Sequence, residues 1–145
     1  MKNLIFVSGI FLFFLACGAN KSEKNSCPSS ILYKVETRGL YVNIALNKST
    51  ITIEKGSNKE NSKTIDLDKN YWAQICSMVE KINLKNIKNI KPTSEGRFSD
   101  RAAIAKLKIE FQDKVYESNN FDHGNPPEKL KELIEKILAL SETAQ

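Results

Sequence analysis

The alternation of apolar and polar residues over positions 103–111 constrains the fold of this chain more than any other stretch. Apolar residues stand at every second position, and polar residues stand between them over 106–112. This period of two is typical of a β-strand with one buried face, because successive side chains of a strand point to opposite sides. The apolar set is Ala103, Ala105, Leu107, Ile109 and Phe111.

This strand is predicted to turn back on itself as a hairpin. The Asp-Lys dipeptide at 113–114 is suited to a tight two-residue turn. Such a turn would place Phe111 opposite Tyr116 and Ile109 opposite Ser118, with all four side chains on one face. The second arm then leads through the 122–127 segment into the last helix.

Strands and helices are predicted on both sides of this hairpin. Alternating runs at 31–36, 40–46, 50–55 and 64–67 predict four earlier strands. Asp68 is a good N-cap for a helix with an apolar face that includes Trp72, and Asn125 with Glu128 resembles a capping box for the last helix. The apolar face of the last helix is Leu130, Leu133, Ile134, Ile137 and Leu140.

The order of these elements predicts an α+β fold for a single globular domain over 31–145. Tight hairpins without a strand-helix-strand pattern favour an antiparallel sheet of about five to six strands. Both amphipathic helices would pack on one face of that sheet. The stretch around 84–90 is predicted to be transitional, and TSEGRFSD at 93–100 is predicted to be an exposed loop.

The first residues predict export from the cytoplasm. Lys2 precedes an almost wholly apolar run from Leu4 to Ala16, and polar residues follow at once. The run is short for a bilayer-spanning helix, which needs about 20 apolar residues. Residues 1–16 are therefore predicted to be a cleaved signal peptide, with a permanent anchor as the alternative.

The end of this segment, Phe14-Leu15-Ala16-Cys17-Gly18, resembles the lipobox of bacterial lipoproteins. The resemblance implies a cut before Cys17, lipid on that cysteine and lasting membrane attachment. A glycine at position 18 implies the outer rather than the inner membrane, facing either the periplasm or the cell surface. Residues 17–30 would be a polar tether. An ordinary signal peptidase cut after Gly18 or Ala19 is the alternative.

Three cysteines are present, and lipid on Cys17 would leave Cys27 and Cys76 as a pair. An oxidising compartment favours a disulfide between them, which would join the start of the domain to the first helix. The alternative is a buried free thiol at Cys76 and an exposed one at Cys27.

The formal net charge is +5, and the lysines are dispersed along the predicted strands and helices. Aromatic residues do not alternate with them as they do on a nucleic-acid platform. This distribution is typical of a solvated surface, so no nucleic-acid partner is expected.

Side chains that could take part in acid-base or metal chemistry are found in two places. Asp122 is followed by His123, the only histidine, and Arg97, Asp100 and Arg101 lie in the loop before the central strand. A carboxylate next to histidine suggests general base or metal chemistry. Neighbouring residues on a strand point to opposite sides, however, and no nucleophile or second histidine is evident. A structural turn, with Asp122 bonded to backbone amides or paired to Arg97 or Arg101, is favoured. No catalytic residue, metal or cofactor is therefore assigned.

The segments TRGLY, GRFSDRAAIAKLKI and YESNNFDHGNPP are similar to those of small uncharacterised lipoproteins of Gram-negative bacteria. This resemblance implies localisation to the cell envelope and an α+β fold. It does not indicate any particular activity. We therefore expect a non-enzymatic binding domain for an envelope protein or glycan, with its contact surface at the loop of Arg97 and Phe98 and at the turn of Asp122 and His123. The alternatives are a small hydrolase or metal-dependent enzyme centred on the turn, and an inhibitor of a secreted enzyme.

Overall fold

The computed structural model describes residues 27–56 and 61–143. The predicted signal peptide, the predicted lipidation site Cys17 and the tether residues 17–26 lie outside the described residues. Within those two ranges, no helix combines the length and the apolar character that crossing a bilayer requires.

The domain is built on one antiparallel sheet of seven strands. The strands are β1 (Ser30–Thr37), β2 (Leu40–Asn47), β3 (Thr50–Lys55), β4 (Asn61–Asp66), β5 (Ile104–Phe111), β6 (Lys114–Glu117) and β7 (Phe121–Asp122). Their order across the sheet is β4-β3-β2-β1-β5-β6, and β7 also pairs with β5. The pairing of β1 with β5 joins residues 68 to 80 positions apart, and it places Ile31 beside Ile109 and Tyr33 beside Leu107.

One face of this sheet is buried under two helices, α1 (Lys69–Glu80) and α2 (Glu128–Thr143). Alternate residues of β1, β2, β3 and β5 share a single apolar core with the inner faces of both helices. Trp72 lies in this core with 5% of its surface exposed. The predicted α+β fold, an antiparallel sheet with two helices on one face, is confirmed. The additional strand is the two-residue β7.

The predicted start of α1 is confirmed, whereas the ends of other elements differ from the predictions. Asp68 caps α1 as predicted, since its Oδ1 accepts a hydrogen bond of 2.7 Å from the amide of Asn70. A 3₁₀ helix spans Leu84–Asn89, and β4 begins at Asn61. Asn125 does not cap α2, which begins at Glu128. Its amide instead donates to the carbonyl of Asp122 at 3.0 Å, so its backbone belongs to the preceding turn.

The predicted hairpin forms, but its turn lies one residue earlier than predicted. Gln112 and Asp113 occupy the turn with φ of 51° and 59°. Two consecutive positive φ angles are typical of the type I′ turn, whose twist matches that of the strands. Ile109 is consequently opposite Tyr116 rather than Ser118. Each residue of β5 pairs with a residue two positions earlier in β6 than predicted. Because side chains alternate between the two faces of a strand, a shift of two positions leaves the same side chains on the core side.

A β-bulge separates β6 from β7. Lys108 pairs with Glu117 and Ala105 pairs with Phe121, so residues 106–107 lie opposite three residues, 118–120. The Ser118 hydroxyl accepts a hydrogen bond of 3.0 Å from the Leu107 amide, within the interrupted ladder. The extra residue changes which side chains face the core. Phe121 is fully buried there, and Asp122 points to the opposite side.

A disulfide joins Cys27 to Cys76, with their Cα atoms 4.7 Å apart. The prediction that these two cysteines pair is confirmed. Cys76 lies on the buried face of α1, so the bond fixes the chain just before β1 to that helix.

Candidate functional site

The carboxylate of Asp122 organises the loop that precedes β5. Its Oδ2 accepts hydrogen bonds from the Ser94 hydroxyl and the Gly96 amide, both at 2.6 Å. Its Oδ1 accepts from the Arg97 amide at 3.0 Å and from Arg97 Nη1 at 3.2 Å. Asp122 is only 3% exposed. A single buried carboxylate therefore holds residues 94–97 against the sheet, including the first turn of a short 3₁₀ helix, Gly96–Ser99.

The hydrogen bonds to Asp122 stabilise its charged form. Burial alone would raise the pKa of this carboxyl group. The donors from Ser94, from the backbone of Arg97 and Gly96, and from the Arg97 guanidinium together outweigh burial and lower the pKa to about 2. Asp122 is therefore ionised at neutral pH, and it acts as an acceptor for the loop.

Arg97 is held as firmly as its partner. Its side chain is 9% exposed in the ion pair with Asp122, and its Nη1 also donates to the carbonyl of Ser94. The guanidinium carbon lies 4.3 Å from the centre of the Phe98 ring. Phe98 itself is 77% exposed. The buried ion pair thus supports an aromatic ring that remains in contact with solvent.

Gly96 permits the close approach of this loop to β7. A Cβ atom at position 96 would lie 3.0 Å from Asp122 Oδ2 and 3.2 Å from the Cβ of Ala102. Both distances are shorter than ordinary carbon contacts. Glycine is therefore required here for space between the backbone and the carboxylate.

His123 has a different partner from Asp122. Its Nδ1 and the hydroxyl of Tyr33 share a hydrogen bond of 2.8 Å. Burial lowers the pKa of His123 and raises the pKa of Tyr33, so both groups are neutral near pH 7. Among the contacts of the described residues, no hydrogen bond joins His123 to Asp122. The two side chains are adjacent in sequence, and each is fixed by its own set of contacts.

Beside Phe98, a groove runs over the open face of the sheet, the face opposite the helices. We call it the Phe98 groove; it encloses about 440 Å³ and is formed by the 3₁₀ turn, by β5 and by the bulge. Its lining residues are Pro92, Arg97, Phe98, Ile104, Lys106, Ser118, Asn119 and Asn120. A second depression continues from it over β1, sharing Ile104, Lys106 and Asn120. This volume is in the range typical of binding pockets.

The structure brings together part of the predicted contact surface. Arg97 and Asp122 form its buried support, and Phe98 is exposed above them. Arg101 is also exposed and donates from Nε to the Ser99 hydroxyl at 2.9 Å. Asp100 is exposed, with a left-handed backbone that ends the 3₁₀ turn. Arg101 borders a different cleft, which His123 and Asn125 also line.

Three residues that line the groove with Phe98 were not predicted as part of a contact surface. Lys106 was predicted only to lie on the polar side of the strand, and Ile104 and Asn120 had no predicted role. The Ser-Asn-Asn run at 118–120, which interrupts the alternation, is the signal that could have indicated a bulge beside a binding surface.

Neither a metal site nor a relative identifies the chemistry of this region. Over residues 27–56 and 61–143, no group of three or more histidine, cysteine, aspartate or glutamate side chains is placed to hold a metal ion. The chain matches no protein-family model, no curated protein and no solved structure.

Proposed function

We propose that this chain is an exported, lipid-anchored envelope protein whose domain is a non-enzymatic binding module. The lipobox-like sequence ending at Cys17 supports the anchor and an outer-membrane address. The disulfide between Cys27 and Cys76 supports the export, because such bonds persist mainly in oxidising compartments.

The rigid presentation of Phe98 is the observation that carries the binding proposal. An exposed aromatic side chain gains nothing for the core, yet a buried ion pair and three further hydrogen bonds to Asp122 fix the loop that displays it. Aromatic side chains on pre-organised loops are typical anchors of protein interfaces, since little conformational entropy is lost on binding.

The location of Phe98 is also suited to a tethered receptor. The chain enters the domain near Ser30, which pairs with Glu110, whereas the groove lies near Glu36, which pairs with Ile104. Six residues of extended strand separate these ends, roughly 20 Å. The groove therefore lies toward the opposite end of this strand pair from the point where the chain enters the domain.

Position-specific photo-cross-linking tests the binding proposal. The photoreactive residue p-benzoylphenylalanine is placed at position 98, at position 104 and, as a control on the same open face, at position 115. Val115 is 56% exposed and lies outside the groove. In cells that make the protein, we expect one discrete product from positions 98 and 104 and none from 115. Equal products from all three positions, or none from any, would contradict a binding surface at Phe98.

The anchor is tested separately by fractionating cells that make Cys17→Ser. We expect the wild-type protein in the outer-membrane fraction and the variant in the inner membrane as an unprocessed precursor, because the lipoprotein signal is cut only before a lipidated cysteine. Processing of the variant to the mature length would favour an ordinary signal peptidase cut and contradict the lipid anchor.

A further inference from the structure

The Phe98 groove has an apolar floor at one end. Phe98 is 77% exposed and Ile104 is 40% exposed, and they are two of the four large apolar side chains that the described surface leaves open. Pro92 adjoins them. Arg97 covers one face of the Phe98 ring, so the remaining apolar surface is formed by the ring together with aliphatic groups. Such an irregular surface fits an aliphatic or aromatic side chain better than the flat face of a sugar ring.

The other end of the groove carries positive charge. Lys34 and Lys106 are direct partners on β1 and β5, where like charges repel. Lys34 has its own counter-ion, Glu36, at 2.8 Å. Glu117 forms ion pairs with both Lys106 and Lys108. Its carboxylate oxygens lie 3.7 Å from the Nζ atom of Lys106 and 2.9 Å from that of Lys108. One carboxylate thus serves two ammonium groups, which leaves a site for an anion at Lys106.

Hydrogen-bonding groups lie between these two ends. The bulge turns Asn119 and Asn120 outward, and both are exposed. Neither amide side chain has a hydrogen bond within the described part of the chain. A side-chain amide offers both donors and an acceptor, which matches the alternating groups of an extended peptide backbone.

We propose that the Phe98 groove binds an extended acidic segment of a partner protein, with an apolar side chain against Phe98 and Ile104 and a carboxylate at Lys106. The groove and its continuation cross from the bulge over β5 to β1, roughly 10 Å at the usual strand spacing, which about three extended residues would span. The assignment rests on the proposed binding function and adds the chemistry of the partner.

Peptide selection tests the chemistry. The full chain is purified from membranes in detergent and used to select from a library of random heptapeptides displayed on phage. We expect enrichment of an apolar residue within two positions of an Asp or Glu, in either order. Synthetic copies of the selected peptides should lose about tenfold in affinity with Phe98→Ala, which removes the aromatic anchor. They should lose about two- to fivefold with Lys106→Gln, because the lysine is 41% exposed and its ion pair is screened by solvent. The affinity of the peptides should be unchanged for Lys106→Arg and for the controls Val115→Ala and Lys129→Gln. Binding to the wild-type chain should weaken as the salt concentration rises.

Three results would overturn the assignment. One is selection of peptides without a carboxylate, and another is equal binding of the selected peptides to Phe98→Ala. The third is failure of all peptides while a panel of defined bacterial oligosaccharides binds and loses affinity with Phe98→Ala, which would make the groove a glycan site. If position 98 cross-links in cells and acidic peptides do not bind, only this inference fails. If neither occurs, the proposed binding function fails with it.

Discussion

The two ends of the β1–β5 strand pair are held together in different ways. At the end near Ser30, a disulfide joins Cys27 to the core-facing side of α1. At the other end, the buried carboxylate of Asp122 holds the loop of residues 94–98 through hydrogen bonds and one ion pair. The first end attaches the tether to the core covalently. The second keeps a surface loop rigid without apolar residues, which leaves Phe98 free to face solvent.

A loop can therefore be rigid while a large side chain on it stays exposed, provided that polar contacts hold its backbone in place. A loop fixed by apolar packing would have to bury its large side chains. A loop fixed by a carboxylate beneath it needs only amide, hydroxyl and guanidinium donors.

Removal of the Asp122 carboxylate should have the largest effect. In Asp122→Ala, the buried guanidinium of Arg97 loses its counter-ion, and the loss in free energy of unfolding should be about 3 to 5 kcal/mol. Urea unfolding followed by the fluorescence of Trp72, the single tryptophan, measures it. Arg97→Met with Asp122→Asn should recover part of the loss. A change below about 1 kcal/mol would mean that the ion pair behaves like a solvent-exposed one.

Removal of the disulfide should come next. Cys27→Ser with Cys76→Ser should lower the free energy of unfolding by about 3 to 4 kcal/mol, because an unfolded chain without the cross-link gains entropy over a 49-residue separation. Hydrogen exchange should increase near Cys27 and stay unchanged at residues 94–97. Increased exchange at both ends would show that they are coupled and would remove the distinction between them.

Acidification should weaken the Asp122 end in two steps. The pKa of His123 is lowered by burial, so the unfolded chain binds a proton more readily and stability should fall as pH drops below about 6.5. The pKa of Asp122 is lowered to about 2 from 3.8, so its contribution is present above about 4 and should be lost as pH falls toward 2.

The chain has one histidine, so the first step can be assigned. Thermal unfolding between pH 7.5 and 5.5 should show a fall in Tm for the wild-type chain and a smaller fall for His123→Asn. An unchanged slope in the variant would assign the loss of stability to other groups.

Truncation of Phe98 should have the smallest effect on stability. Because this side chain is 77% exposed, Phe98→Ala should change the free energy of unfolding by less than about 0.5 kcal/mol. Urea unfolding of the variant checks this. A loss above about 1.5 kcal/mol would indicate that the ring contributes to packing, which would weaken the argument that the loop is rigid for the sake of recognition.

The local features of this protein could be predicted from its residues alone. Alternation assigned the buried face of β1 and β5, helical spacing assigned the inner faces of α1 and α2, and Asp68 marked the start of a helix. These signals suffice because the period of a strand or helix and the chemistry of a cap are set by residues within one or two turns of chain. The pairing of Cys27 with Cys76 is not local. The cysteine count favoured it on the premise that Cys17 carries lipid, and the fold brings the two residues together across a separation of 49 positions.

The contacts that make up the candidate site depend on how distant segments pack together. Asp122 binds donors 25 to 28 residues earlier, and Tyr33 meets His123 across 90 residues. The sequence suggested Arg97 as one partner of Asp122 but could not distinguish it from Arg101. One extra residue in the bulge decides that Phe121 enters the core and Asp122 turns toward the loop. Periodicity fixes which face a side chain occupies, whereas register between distant segments is fixed only when the strands pair.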